Sequence, residues 1–269
     1  MKLIPAILRR KRQAPEPTIA PSHSETSTRD HLMRGWHNTS SGELCPGFPV
    51  GPGNVLADIG CGSGDHAYFC AAMGAQVILA DMDPAALAQA SALLARLQPA
   101  PRFETRLTDG ATLPIADATA DRVICTEVIE HVDDPALLMQ ELVRIGRPDA
   151  LYLLSCPDPQ AEAIFKRIAH PMHFERPNHI RILGREEFAT IVVDAGLVIE
   201  HRLSRGFYNM LWWVLFWGCP SLGADMRHPL LDSWANTWSL LLDQPNGPTI
   251  KNALDDLLPH SQVIIARKP

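Results

Sequence analysis

No two of the chain's six cysteines, Cys45, Cys61, Cys70, Cys125, Cys156 and Cys219, stand in a Cys-x-x-Cys pair. That removes the usual redox and zinc spacings and leaves reduced, buried thiols in a cytoplasmic protein as the expectation. Positive charge is also short: 24 Lys and Arg against 30 Asp and Glu give a net charge of -6. A protein whose main task is to hold nucleic acid wants a basic surface, so that role is disfavoured. Nor does any apolar run approach the roughly 20 residues that span a bilayer; the greasiest stretch, Met210 to Trp217, is far shorter. The N-terminus carries Leu3, Ile4, Ile7 and Leu8 ahead of Arg9, Arg10, Lys11 and Arg12, the reverse of a secretory signal. Internal repeats are absent.

What is present is an alternating pattern. Residues 1–30, rich in Pro, Ser, Thr and charge, read as a flexible tail, and 31–269 as one domain. Within it, residues 31–53, with Trp36 and His37, look like an arm that folds over a ligand. From Asn54 onward, buried strands are expected at Val55–Ile59, Gln76–Ala80, Arg102–Thr108, Asp121–Thr126 and Leu151–Ser155. Helices are expected at 65–73, from Pro84, and at 134–146, where Leu137, Leu138, Leu142 and Ile145 would share a face. A loop rich in His and Pro leads to a helix at 185–195, a strand at Gly196–His201 and a last strand at Ser261–Arg267. Apolar strands alternating with helices imply an α/β, doubly wound, mostly parallel sheet. Residues 205–248 break the rhythm with Phe207, Tyr208, Trp212, Trp213, Phe216, Trp217, Trp234 and Trp238, and read as a helical apolar insertion. Its aromatics pack it onto the sheet, wall an acceptor pocket or form a homodimer face; all three readings stand.

The first strand runs into Gly60-Cys61-Gly62-Ser63-Gly64. Ligands of open α/β sheets sit at such strand ends, where glycine lets backbone approach closely. The dinucleotide motif Gly-x-Gly-x-x-Gly would need glycine at 65, but Asp65 stands there and would repel a diphosphate. That opposes a nicotinamide oxidoreductase. S-adenosylmethionine (SAM) has no phosphate and carries a cationic amine and sulfonium, so the carboxylate suits it. Asp58 can pair with that amine, Asp81 can accept from both ribose hydroxyls, and Asp109, before Gly110, can accept from the adenine amine. Cys61 is small and reads as inert.

These residues, with Ala80-Asp81-Met82-Asp83-Pro84, Cys125-Thr126-Glu127-Val128-Ile129-Glu130-His131-Val132 and the segment from Asn178 to Phe188, resemble the class I SAM-dependent methyltransferases, the seven-stranded family. The likeness covers roughly residues 50–203 and the final strand. It implies an antiparallel last strand after the insertion, and adds Met82 and Thr126 to the cofactor-binding residues. At Arg147-Pro148-Asp149-Ala150 the chain departs from the family's common Pro-Gly-Gly turn.

Methyl transfer from a sulfonium mainly needs alignment, plus a group to take the proton of a hydroxyl acceptor. If the segment after the fourth strand is helical, Glu127, Glu130 and His131 share a face at i, i+3 and i+4. His131 is then the candidate general base. The same three side chains, with His179, resemble the metal-binding sets of small-RNA 3′-end methyltransferases and of ubiquinone-synthesis O-methyltransferases. That likeness implies a divalent metal such as Mg2+ holding the acceptor oxygens; a base without metal, and a structural role, stay open beside it. His170 and His173, whose spacing matches no tight ligand pattern, read as solvent-facing or substrate-edge residues. The expectation is therefore methyl transfer to a small-molecule or lipid-like acceptor, at oxygen. The rivals are RNA 3′-end 2′-O-methylation and a SAM-fold binding module without catalysis.

Overall fold

The computed structural model describes residues 21–110, 112–219 and 227–269. Its centre is a seven-stranded sheet in the order β5-β4-β3-β6-β7-β9-β8, made of β3 (Val55–Ile59), β4 (Gln76–Asp81), β5 (Phe103–Leu107), β6 (Ala120–Thr126), β7 (Gly146–Pro157), β8 (Val198–Arg205) and β9 (Ser261–Arg267). A short hairpin, β1 (Glu43–Cys45) and β2 (Phe48–Pro49), precedes it. Strands β5 to β7 pair in parallel, whereas β9 lies antiparallel between β7 and β8. The chain winds outward from β3 through β4 to β5, then crosses to β6. Strand order therefore reverses between β3 and β6, which opens a crevice at their carboxyl ends.

Both sheet faces are covered. On one, Ile59, Val123, Tyr152 and Ile264 pack with Leu138, Met139, Leu142 and Phe188; on the other, Leu56, Leu79 and Ile124 pack with Phe69, Ala90 and Trp36. The covering helices are α2 (Asp65–Ala72), α3 (Pro84–Leu94), α4 (Pro135–Ile145), α5 (Pro159–Ile168) and α6 (Arg185–Asp194). Three of them start alike: Asp83, Asp134 and Asp158 each cap a helix whose first residue is proline, a position where proline loses no hydrogen bond. Two expectations need correcting here. Leu137 is 41% exposed, and Met139 takes its place on the buried face of α4. The stretch after Pro157, read as loop, contains α5, because Pro159 opens a helix rather than blocking one.

The insertion between β8 and β9 is helical: α7 (Phe207–Trp217), α8 (Pro229–Leu242) and α9 (Gly247–Leu257); residues 220–226 lie outside the described residues. It also receives part of the expected tail. Residues 1–20 lie outside the described residues, but α1 (His23–Met33) is an ordered helix with a Ser22–Glu25 capping box. Composition hid it because its anchor is polar. Asp30, fully buried, accepts from Trp238 Nε1 at 2.8 Å and pairs with the equally buried Lys251 at 3.0 Å. Among the described residues, no helix is long and apolar enough to cross a membrane.

Candidate functional site

The crevice at the carboxyl ends of β3 and β6 holds two adjoining cavities that share Gly60. One, of about 580 Å3, is lined by Asp81, Met82, Asp109, Gly110, Val128 and His131, with Arg176 and Pro177 at its rim. The other, of about 710 Å3, is lined by Asp58, Cys61, Gly62, Asp65, His66 and Thr126, and is roofed by His23, Ser27 and His31 of α1. A further cavity of about 550 Å3 lies elsewhere, by Gly53, Gln76 and Pro101, and Arg102 is its only ionisable lining residue.

Gly60 sits at φ +70°, and a β-carbon on it would come within 2.3 Å of Val128 Cγ2. The next turn is tied to β4: Gly62 N–H donates to Asp81 Oδ2 at 2.9 Å, and Asp83 N–H to Oδ1 at 2.9 Å. Each oxygen keeps a second lone pair for a ligand. Asp58 is 3% exposed; burial pushes its carboxyl up to about 7, and the charges of Asp81 and Asp65 add to that. The Cys61 thiol is pushed up to about 12, by burial first and then by Asp58 and Asp81, which keeps it protonated and unreactive.

Beyond β6 the backbone turns sharply, with Glu127 at φ +55°. No helix begins before Pro135, so Glu127, Glu130 and His131 do not share a helical face. Glu127 turns aside: its Oε1 accepts from Ser155 Oγ at 2.7 Å and lies 4.0 Å from Arg205 Nη2. Glu130, Oε1 and Oε2 both without a hydrogen-bond partner, is 1% exposed. Burial, then the Glu127 charge, raises its carboxyl well above the ordinary range. His131 lies beside it, Nε2 at 3.5 Å from Glu130 Oε1 and Nδ1 at 2.9 Å from the Pro177 carbonyl oxygen. A carbonyl only accepts, so in the neutral ring Nδ1 carries the proton and Nε2 presents a lone pair. The ligand atoms of Glu130, His131 and His179 lie within 4.8 Å of one another, a spacing able to hold a cation.

Residues 57–154 match a family model described as a methyltransferase domain. A Mycobacterium tuberculosis protein named "Probable S-adenosylmethionine-dependent methyltransferase" is 32% identical over 146 residues, covering 53% of this chain and 48% of its own length. The ubiquinone biosynthesis O-methyltransferase of Hahella chejuensis is 36% identical over 100 residues, covering 37% of this chain and 41% of its own. The chain carries a class I SAM-dependent methyltransferase domain. A solved geranyl diphosphate methyltransferase, in complex with GPP and sinefungin, shares the fold at a TM-score of 0.56 and 16% identity, over 91% of this chain and 77% of its own. The chain spans 48% to 60% of the length of the first curated relatives it matches.

The methyltransferase trough suits its family's cofactor on its own chemistry. Asp58, Asp65 and Asp81 line it, and burial first, then the charges of Asp81 and Asp65, leaves Asp58 reluctant to ionise. A cationic ligand relieves that arrangement, whereas a diphosphate would worsen it. Of the residues expected from sequence, Asp58, Gly60, Cys61, Gly62 and Thr126 border one lobe, and Asp81, Met82, Asp109, Gly110 and His131 the other. Gly64 lies behind them, where a β-carbon would meet Ala90 Cβ at 2.7 Å; its part is to let α2 pack on α3.

Sequence reasoning missed the imidazoles on the roof side. His37 Nε2 lies 3.3 Å from His66 Nδ1, and both rings stand near Trp36, over which Arg205 stacks at 4.3 Å. Burial, then the Arg205 charge, lowers His31, His37 and His66, so these rings are neutral. The Trp36-His37 pair in the arm was the only signal of them. Also missed was the grouping of Glu162 and His173 with His179: His173 faces inward, not to solvent. Burial pushes Glu162 up, but the two imidazoles outweigh it and hold the carboxyl at about 2.

Proposed function

We propose that this chain transfers the methyl group of SAM to a hydroxyl oxygen of a small or lipid-like acceptor, with His131 receiving the proton. SAM, when bound, supplies an activated methyl on a positively charged sulfur. Asp58 holds the cofactor's ammonium, and Asp81 and Asp109 its ribose and adenine. His131 carries the reading: it lines the trough and its Nδ1 is engaged by the Pro177 carbonyl at 2.9 Å, so Nε2, 3.5 Å from Glu130 Oε1, is the nitrogen left to take the proton. In a second reading, supported by the unpartnered oxygens of Glu130, Glu130, His131 and His179 would instead hold a divalent ion, with His131 as ligand in place of base; two imidazoles and one carboxylate suit a transition metal better than Mg2+, and its chemistry there would be to lower the hydroxyl's pKa.

Two observations support a greasy acceptor at oxygen. The part-exposed aromatics Trp213 and Trp217 of α7 pack beside Phe174 in the loop that carries His173 and His179. One relative is named an O-methyltransferase of ubiquinone biosynthesis. The same apolar helix carries the expectation of a homodimer, and the six unpaired thiols that of cytoplasmic residence.

The test is calorimetry with SAM, S-adenosylhomocysteine and NAD, followed by incubation with SAM and a panel of alkylphenols and catechols. SAM binding without NAD binding, and a product heavier by one methylene, are expected. A folded sample that binds no SAM would refute the reading and leave a binding module. Deleting residues 210–217 without changing KM would remove α7 from the acceptor pocket.

A further inference from the structure

We propose that Glu162, His173 and His179 form a binding site for a divalent transition metal of the zinc, cobalt or ferrous class. Glu162 projects from α5, while His173 lies in the short 3-10 turn Pro171–Phe174 and His179 follows in the same loop. Their ligand atoms lie within 4.8 Å of one another. Glu162 Oε1 stands 3.5 Å from His173 Nε2, and Oε2 stands 3.2 Å from His179 Nδ1. Metal–ligand bonds of about 2.0–2.2 Å put neighbouring ligand atoms roughly 3–3.5 Å apart, and both of these separations match that spacing.

The second observation is the state of those atoms without an ion. The Glu162 side chain is 1% exposed. Neither of its oxygens forms a well-aligned hydrogen bond, and the same is true of His173 Nε2 and His179 Nδ1. Four buried polar atoms that face one another without an aligned hydrogen bond are costly, and an ion would satisfy them together. Two imidazoles and one carboxylate form a donor set for transition metals rather than for Mg2+ or Ca2+, which prefer all-oxygen shells. The rings are also held in place: His173 meets Phe165, Phe174 and Trp217 edge-on. Because Arg176 and Pro177 of the same loop border the cofactor trough, an ion here would fasten that border to α5.

His179 also belongs to the Glu130–His131 group, so the experiment has to separate the two. The full chain is stripped with chelator and titrated with Co2+ alone, read by its visible d–d bands, with bound metal counted by mass spectrometry. The H131A variant removes the neighbouring group and should still bind Co2+ at one equivalent. H131A/E162Q and H131A/H173Q should lose more than about tenfold in Co2+ affinity relative to H131A, the least expected when even an outer-shell partner costs about 10–100-fold. Circular dichroism checks each fold; should H131A/E162Q unfold, H131A/H173Q carries the test through a part-exposed ring. Loss of all Co2+ binding in H131A, unchanged binding in H131A/H173Q, or no Co2+ bands in the parent chain would each overturn the proposal.

Discussion

Lys251 of α9 and Asp30 of α1 form a buried ion pair at 3.0 Å, with Asp255 completing a triad at 2.5 Å from the same ammonium. Asp255 Oδ1 also accepts from the N–H groups of Gly206 and Phe207, where β8 hands over to α7. The roof of the trough is thereby tied to the insertion and to the sheet edge through one cation. Removing one partner of such a pair leaves an uncompensated buried charge, which costs about 3–5 kcal/mol. Lys251→Met should lower urea stability by that order and weaken SAM binding as α1 loosens. A variant with wild-type urea midpoint would show that the triad contributes nothing net.

Gly60→Ala tests the turn. The new β-carbon would lie 2.3 Å from Val128 Cγ2, at a backbone φ of +70°, and the left-handed conformation alone costs a residue with a β-carbon about 1–2 kcal/mol. SAM affinity should fall by about tenfold or more, since tenfold is about 1.4 kcal/mol. The double variant G60A/V128A should recover part of the loss, because it relieves the clash and leaves the strain. Wild-type SAM affinity in G60A would mean that the turn does not shape the cofactor site.

The sheet was legible in the sequence because its strands are short apolar runs between breakers, and a buried parallel strand has no other way to look. The carboxylates at the strand ends were legible for the same reason: once β3 and β4 are located, Asp58 and Asp81 follow. The reacting end was not. Glu127, Glu130 and His131 share a helical face only if a helix exists, and Glu127 at φ +55° prevents it. The loop bringing His173 to His179 is closed by the N–H of His179 donating to the carbonyl of His173 at 3.1 Å, a contact that no periodicity announces. Helix α1 escaped notice because its burial rests on Asp30 and Thr26, residues that composition assigns to solvent.

Cofactor binding should depend on pH through Asp58. Its carboxyl titrates at about 7 in the folded chain, against about 3.9 for an unfolded Asp. Over that window the folded chain holds a proton that the unfolded chain has lost, so stability without ligand falls as pH rises from about 4 to about 7. An ammonium beside Asp58 favours the carboxylate, so SAM binding below about pH 7 expels a proton and tightens as pH rises. Calorimetry at pH 6 in buffers of different ionisation enthalpy should detect this release in the parent chain and not in D58N. Equal proton release in both would locate the titration elsewhere.

His131→Ala separates chemistry from binding. A positioned general base contributes about 10²–10⁴-fold, so kcat toward a phenolic acceptor should fall within that range while SAM affinity holds. The pH profile should change as well. Without the imidazole the acceptor must ionise unaided, and a phenol does so near pH 10, so the variant's rate should keep climbing through the alkaline range where the parent levels off. Proportional loss at every pH would assign His131 to positioning. An unchanged kcat would move the proton acceptor to the roof of the trough, where His31, His37 and His66 stand neutral beside Arg205.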